Sequence, residues 1–141
     1  MSNLIATYTH TIVPEASTRS HFRVTAPANH KVWVKVTVFY TRASSNAAVA
    51  VDLRNGSTSG TLGSAITWVK RNPDDGETVQ TVGQAVTGSP SGGDSVSKAG
   101  LLDNGAIAFE PIRLNGGETL DVWLTAGDTS GTGFIRIDID E

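Results

Sequence analysis

The sequence predicts an all-β domain, a two-sheet antiparallel sandwich of roughly eight or nine strands. Three observations carry that expectation. Apolar residues recur with a period of two along every long segment, and clusters of turn-forming residues separate those segments at short, regular intervals. Composition points the same way, since 38% of the 141 residues are hydrophobic, 18% are charged and 15 are glycine, with Thr, Ser and Val abundant.

The first predicted strand spans residues 4–13, where Leu4, Ala6, Tyr8, His10 and Ile12 alternate with Ile5, Thr7, Thr9, Thr11 and Val13. Pro14 stops it and a polar bridge, residues 15–20, follows. A short strand over 22–26 leads through Pro27, Ala28 and Asn29 into the clearest pattern of the chain. There Val32, Val34, Val36, Val38 and Tyr40 share one face, while Trp33, Lys35, Thr37, Phe39 and Thr41 share the other. Residues 43–51 could be written as a helix, but Ala47, Val49, Val51 and Leu53 alternate and favour a strand over 47–53. Further strands are expected over 65–70, 77–86 and 106–114, bounded by Asn55-Gly56, residues 72–76, Asn104-Gly105 and Asn115-Gly116-Gly117. The Ser/Gly-rich stretch 87–98 reads as a mobile surface loop. Near the C-terminal end, Leu120, Val122 and Leu124 form one set, and Ile135, Ile137 and Ile139 another. The turn chemistry of 126–133 makes these two an expected antiparallel hairpin.

Several function classes find no support. The chain has no cysteine, so neither a disulfide framework nor a thiolate metal site is available. A net charge of −3 offers no broad basic field for nucleic acid. Residues 1–6 contain no basic segment followed by an apolar run, so synthesis in a cytoplasm without Sec export is expected, and no apolar run suggests a membrane partner. His10, His21 and His30 are not spaced as a known ligand set, and Asp74-Asp75-Gly76-Glu77 lacks the carboxylate spacing of a calcium loop and reads as a turn. No Gly-x-Ser-x-Gly elbow and no phosphate-binding glycine loop occurs. The expectation is a protein without catalytic residues, metal or cofactor, with a jelly-roll hydrolase as a minor alternative.

The residues that invite a partner are aromatic. Trp33, Trp68 and Trp123 stand out, and Trp123, flanked by Asp121 and Thr125, suits an intersubunit or sugar-stacking role. Two stretches carry a resemblance: Phe22-Arg23-Val24-Thr25-Ala26-Pro27-Ala28-Asn29 before the long Val/Trp strand, and Leu114-Asn115-Gly116-Gly117-Glu118-Thr119-Leu120-Asp121-Val122-Trp123. In this order the chain resembles the small jelly-roll proteins of tailed-bacteriophage virions, and other jelly rolls, including trimeric tumour-necrosis-factor-like domains, share the same turn-and-strand grammar. The resemblance implies a jelly-roll type of sandwich over residues 21–141. It implies a non-enzymatic capsid decoration or cement subunit, bound to the major capsid protein on the virion surface, and a homo-oligomer with three copies as the first expectation. Residues 1–20 lie outside it and are expected to form an added strand or arm. Leu4, Tyr8 and Ile12 of that arm, with Trp33 and Trp123, are the expected interface residues. The competing expectation is a receptor- or glycan-binding domain of a tail fibre or spike.

Overall fold

The structure is a computed structural model that describes residues 4–13, 17–41, 49–58, 60–87, 91–102, 104–124 and 130–141. Twelve strands occur among the described residues: β1 (Ile5–Thr11), β2 (Arg19–Thr25), β3 (Val32–Thr41), β4 (Val49–Asn55), β5 (Thr61–Ala65), β6 (Val69–Lys70), β7 (Val82–Thr87), β8 (Asp94–Leu102), β9 (Asn104–Ala108), β10 (Ile112–Leu114), β11 (Thr119–Leu124) and β12 (Thr132–Asp140). They form two antiparallel sheets. The first runs β10-β3-β12-β1-β6, with β9 also on β3, and the second runs β5-β7-β2-β11-β4-β8.

The order of pairing defines the fold. β1 pairs with β12, β2 with β11, β3 with β9 and β10, and β4 with β8. β9 and β10 lie end to end on one edge of β3, joined by the 2.9 Å bond from the Phe109 amide to the Val36 carbonyl, so they act as one broken strand. First with last and second with second-last is the pattern of a long hairpin rolled up, with successive pairs falling in opposite sheets. That is a jelly roll. β5, β6 and β7 are inserted between β4 and β8: β7 and β5 extend the second sheet beyond β2, and β6 touches the outer edge of β1.

Period-two patterning explains the core. Val32, Val34, Val36 and Val38 of β3 and Ile135, Ile137 and Ile139 of β12 face Phe22, Val24, Leu53, Leu120 and Val122 of the second sheet, and all are fully buried. Each contributes about 1.5–3 kcal/mol relative to exposure. β1 lies inside the first sheet, in seven-residue register with β12, and buries Ala6 in this core, as does Ile12 just beyond its end.

Four sequence expectations are corrected. β11 and β12 do not form a hairpin, because β11 lies between β2 and β4 while β12 lies between β1 and β3, in the other sheet. Residues 94–98 are not loop: they belong to β8, which pairs with β4 although Asp94, Ser95 and Lys98 are polar and exposed. The expected strand 65–70 is divided, since β5 ends at Ala65 in the second sheet and β6 begins at Val69 in the first. The count is twelve rather than eight or nine, mainly because β8 was not foreseen, the strand 65–70 is divided and the strand 106–114 is broken at Phe109 to Pro111. Of the stretch 43–51, residues 43–48 lie outside the described residues, and Val49 onward is strand.

Candidate functional site

The two sheets present very different outer faces. On the second sheet the outward-facing Arg23, Asp121, Trp123 and Asp52 are polar or aromatic, yet they are buried. Arg23 Nε and Nη2 donate to the two oxygens of Asp121 at 2.7 and 3.0 Å, and Nη2 also donates to the carbonyls of Ser57 and Thr58 at 3.2 Å. Trp123 donates from Nε1 to Ser57 Oγ at 3.1 Å, and its ring is covered by the Arg54 guanidinium 4.5 Å away. Arg54 is held in place by Asp52 at 2.7 Å, and Asp52 in turn accepts from Ser95 Oγ. Ser57 and Thr58, bonded to Gly92 and Ser91, close over this network as a roof. Within it the charged and polar groups satisfy one another, as burial demands.

The first sheet has an open outer face. Trp33, Lys35, Thr37 and Phe39 of β3 stand beside Asp140, Asp138, Arg136 and Phe134 of β12, in register. Phe39 and Phe134 stack with centroids 4.5 Å apart and planes 24° apart, while Phe134 stays 40% exposed. They border a depression of about 550 Å³ that also takes in Val13, Tyr40 and Thr132. At the other end of β3, Trp33 is 49% exposed, with Arg113 opposite it on β10 and Asp140 opposite it on β12. Between the two aromatic ends lies a groove of about 490 Å³, where Lys35, Arg71 and Arg136 surround Asp138 over a floor of Ile5 and Thr7. Aromatic and apolar ends around a charged middle suit a surface that meets a partner.

Of the five residues expected at an interface, Trp33 is the one on this face. Trp123 lies under the roof of the second sheet, 5% exposed. Leu4 and Ile12 are buried in the chain's own fold, and Tyr8 is half-buried between Phe22 and Trp68. Phe39, Phe134 and Val13 were not singled out from the sequence. Alternation places each phenylalanine on an outer face, but that the two stack requires the β3–β12 register.

The histidines are divided between the two ends of the molecule. His10 packs its ring 5.3 Å from Phe22, and His21, the extra residue where the β2–β11 register slips, is buried beside it. Burial lowers both pKa values, with Arg19 adding to the effect, and His21 falls to about 4 with a further contribution from His10. His30 is 3.4 Å from Glu141, whose carboxylate accepts from the amides of Gln80 and Thr81 and the Thr81 hydroxyl. Burial alone raises the Glu141 pKa, but these bonds outweigh it and leave the carboxyl below its ordinary value. Asp74 and Asp75 form a turn in which the Asp74 amide donates to Asn72 Oδ1 and the Glu77 amide to Asp75 Oδ1. Among the described residues, no three His, Asp or Glu side chains converge on one point.

The chain matches no family model, no curated protein and no solved structure.

Proposed function

We propose that this chain is a non-enzymatic virion structural protein, a decoration or cement subunit that binds the major capsid protein of a tailed-phage head through the open face of its first sheet. The observation that carries the reading is that face: Trp33, Phe39 and Phe134 remain accessible on a rigid sheet of regular register, whereas the outer face of the second sheet is roofed and satisfied internally. A rigid sheet with apolar anchors at both ends meets a flat protein surface without paying for side-chain ordering, because the stacked Phe39–Phe134 pair is already in place. The resemblance to phage jelly rolls supplies the partner.

Cosedimentation with empty phage heads tests it. The parent chain should pellet with heads, and Phe134→Asp, a change at a 40% exposed side chain that leaves the core untouched, should weaken binding at least about tenfold. Equal pelleting of both proteins, or none of either, refutes the reading.

One observation favours a second reading, glycan recognition by a tail fibre or spike. Trp33 offers an exposed ring with Arg113 and Asp140 as its cross-strand neighbours, an aromatic platform edged by charged groups that could hold sugar hydroxyls. Glycan-array binding that Trp33→Ala abolishes, without pelleting on heads, selects it.

A further inference from the structure

The edges of the two sheets are not equally protected. An unpaired strand edge is a template for another strand, and folds blunt it with bulges, charges, proline or very short strands. β5 breaks register between Leu62 and Ala65. β8 faces β4 across two register shifts and carries Asp94 and Lys98. The β9/β10 edge is interrupted at Phe109 to Pro111 and carries Arg113, and β6 is two residues long. β1 has none of these devices. Its register with β12 is regular over seven residues, and the stretch Thr9, His10, Thr11, Ile12 and Val13 contains no Asp, Glu, Lys, Arg, Gly or Pro.

Among the described residues, none pairs with that stretch along its outer side. The even-numbered residues of β1 turn their amides and carbonyls toward β12, as the mutual Leu4–Glu141 bonds and the bond from Ile12 N to the Gly133 carbonyl fix. The odd-numbered residues turn theirs outward. Ile5 and Thr7 are met there by Arg71 and Val69, and no described residue pairs with β1 beyond Thr7 on that side. Thr9 and Thr11 are exposed, and Val13 is 61% exposed.

We propose that this edge joins two copies of the chain, residues 9–13 of one β1 pairing antiparallel with residues 9–13 of the other about a twofold axis through Thr11. The register follows from the geometry. A new strand can begin no earlier than Thr9, because Val69 holds the place opposite Thr7, and the usable stretch ends at Val13, because Pro14, an even-numbered position, has no amide N–H with which to continue the ladder to β12. Thr11 is the midpoint, so Thr9 of each copy faces Val13 of the other and Thr11 faces its own counterpart. These are favourable cross-strand pairs, and none sets like charges against each other. The stretch is complementary to itself in this register, and that self-complementarity argues for a second copy as the occupant. An isologous contact of this kind closes on itself and ends growth at two copies.

Thr11→Cys tests the axis directly, because the chain has no other thiol and hydrogen-bonded antiparallel partners stand about 5.5 Å apart at Cα, within disulfide reach. Mild oxidation should link Thr11→Cys into a covalent dimer far faster than Ser64→Cys, a variant at an exposed position on β5. Sedimentation equilibrium should show a two-chain mass for the parent, and Thr11→Lys, with an unchanged circular dichroism spectrum, should raise the dimer dissociation constant at least about tenfold. A one-chain mass up to about 1 mM, or linkage of Thr11→Cys no faster than Ser64→Cys, overturns the proposal. A three-chain mass overturns it in favour of threefold assembly. Amide protection at Thr9 and Thr11 that appears only when phage heads are added overturns it in favour of a foreign strand.

Discussion

The buried pair of Arg23 and Asp121 sets up a measurement in which single and double replacements should differ in kind. Arg23 is 4% exposed and Asp121 is fully buried, so each charge is tolerated only because the other is there. Arg23→Met removes both donors that reach Asp121, at 2.7 and 3.0 Å, and leaves a carboxylate in a dry site. Asp121→Leu leaves the guanidinium with the carbonyls of Ser57 and Thr58, each at 3.2 Å, which compensate in part. Each single change should therefore cost about 3–5 kcal/mol, with Arg23→Met at the upper end. The double variant buries no unpaired charge and replaces the pair with apolar groups of similar size, so it should fall within about 1 kcal/mol of the parent. Urea unfolding at neutral pH, followed by tryptophan fluorescence, gives the four stabilities of the cycle. The reasoning fails if either single variant loses less than about 1 kcal/mol, or if the double variant loses as much as the two singles together.

Two further outcomes follow from the interior. His21 has a folded-state pKa of about 4 against an unfolded value of 6.5, so the unfolded chain binds the extra proton between those values, and stability should fall by about 3 kcal/mol as pH drops through that window. Urea midpoints across the window should show the loss and His21→Leu should flatten it; an equal loss in both proteins assigns the effect elsewhere. Gly133 lies in β12 between β1 and β3, and a Cβ there would sit 2.2 Å from the Phe39 carbonyl oxygen, a backbone atom that cannot swing away. Gly133→Ala should cost about 1–3 kcal/mol, and an unchanged thermal midpoint would refute the close approach.

How much of this was legible in the sequence depended on which property had to be read. Faces were legible, because side-chain direction alternates whatever the partner strand: the buried valines of β3 and the isoleucines of β12 were read correctly. Sheet membership was not. Residues 126–133 have the chemistry of a tight hairpin, yet the chain crosses from one sheet to the other between β11 and β12, and alternation is the same in both cases. The first part of β8 escaped notice because Asp94, Ser95, Ser97 and Lys98 show no apolar alternation, although the segment pairs with β4. Where the N-terminal strand finds its partner was not legible either. Leu4 and Ile12 were read as apolar enough to need a partner, and the structure buries both within the chain's own fold, Ile12 in the core cluster.

Trp33 and Trp123 show why outward direction alone does not define a surface. Each sits on the outer face of a central strand, beside an aspartate on its own or the neighbouring strand, and nothing local distinguishes them. Their environments are set by the connections. The turn after β4 and the residues leading into β8 meet over Trp123 through Ser57, Thr58, Ser91 and Gly92, and Gly93 lets the chain pass so close that a Cβ there would lie 2.6 Å from Ser57 Oγ. Both connections flank the insertion of β5, β6 and β7, so the segment that roofs the second sheet also supplies the cover of β1. That cover reaches only Thr7, and no described residue closes over Trp33 or the Phe39–Phe134 stack. Enough chain is present in the insertion to satisfy one face and to blunt part of one edge. Among the described residues the aromatic side chains left accessible, Trp33 and Phe134, lie on the first sheet, and the exposed Val13 just beyond β1 borders the same depression as Phe134. The open face and the far half of β1 therefore belong to one sheet, so the proposed head contact and the proposed pairing of two copies would each leave the core between the sheets unchanged.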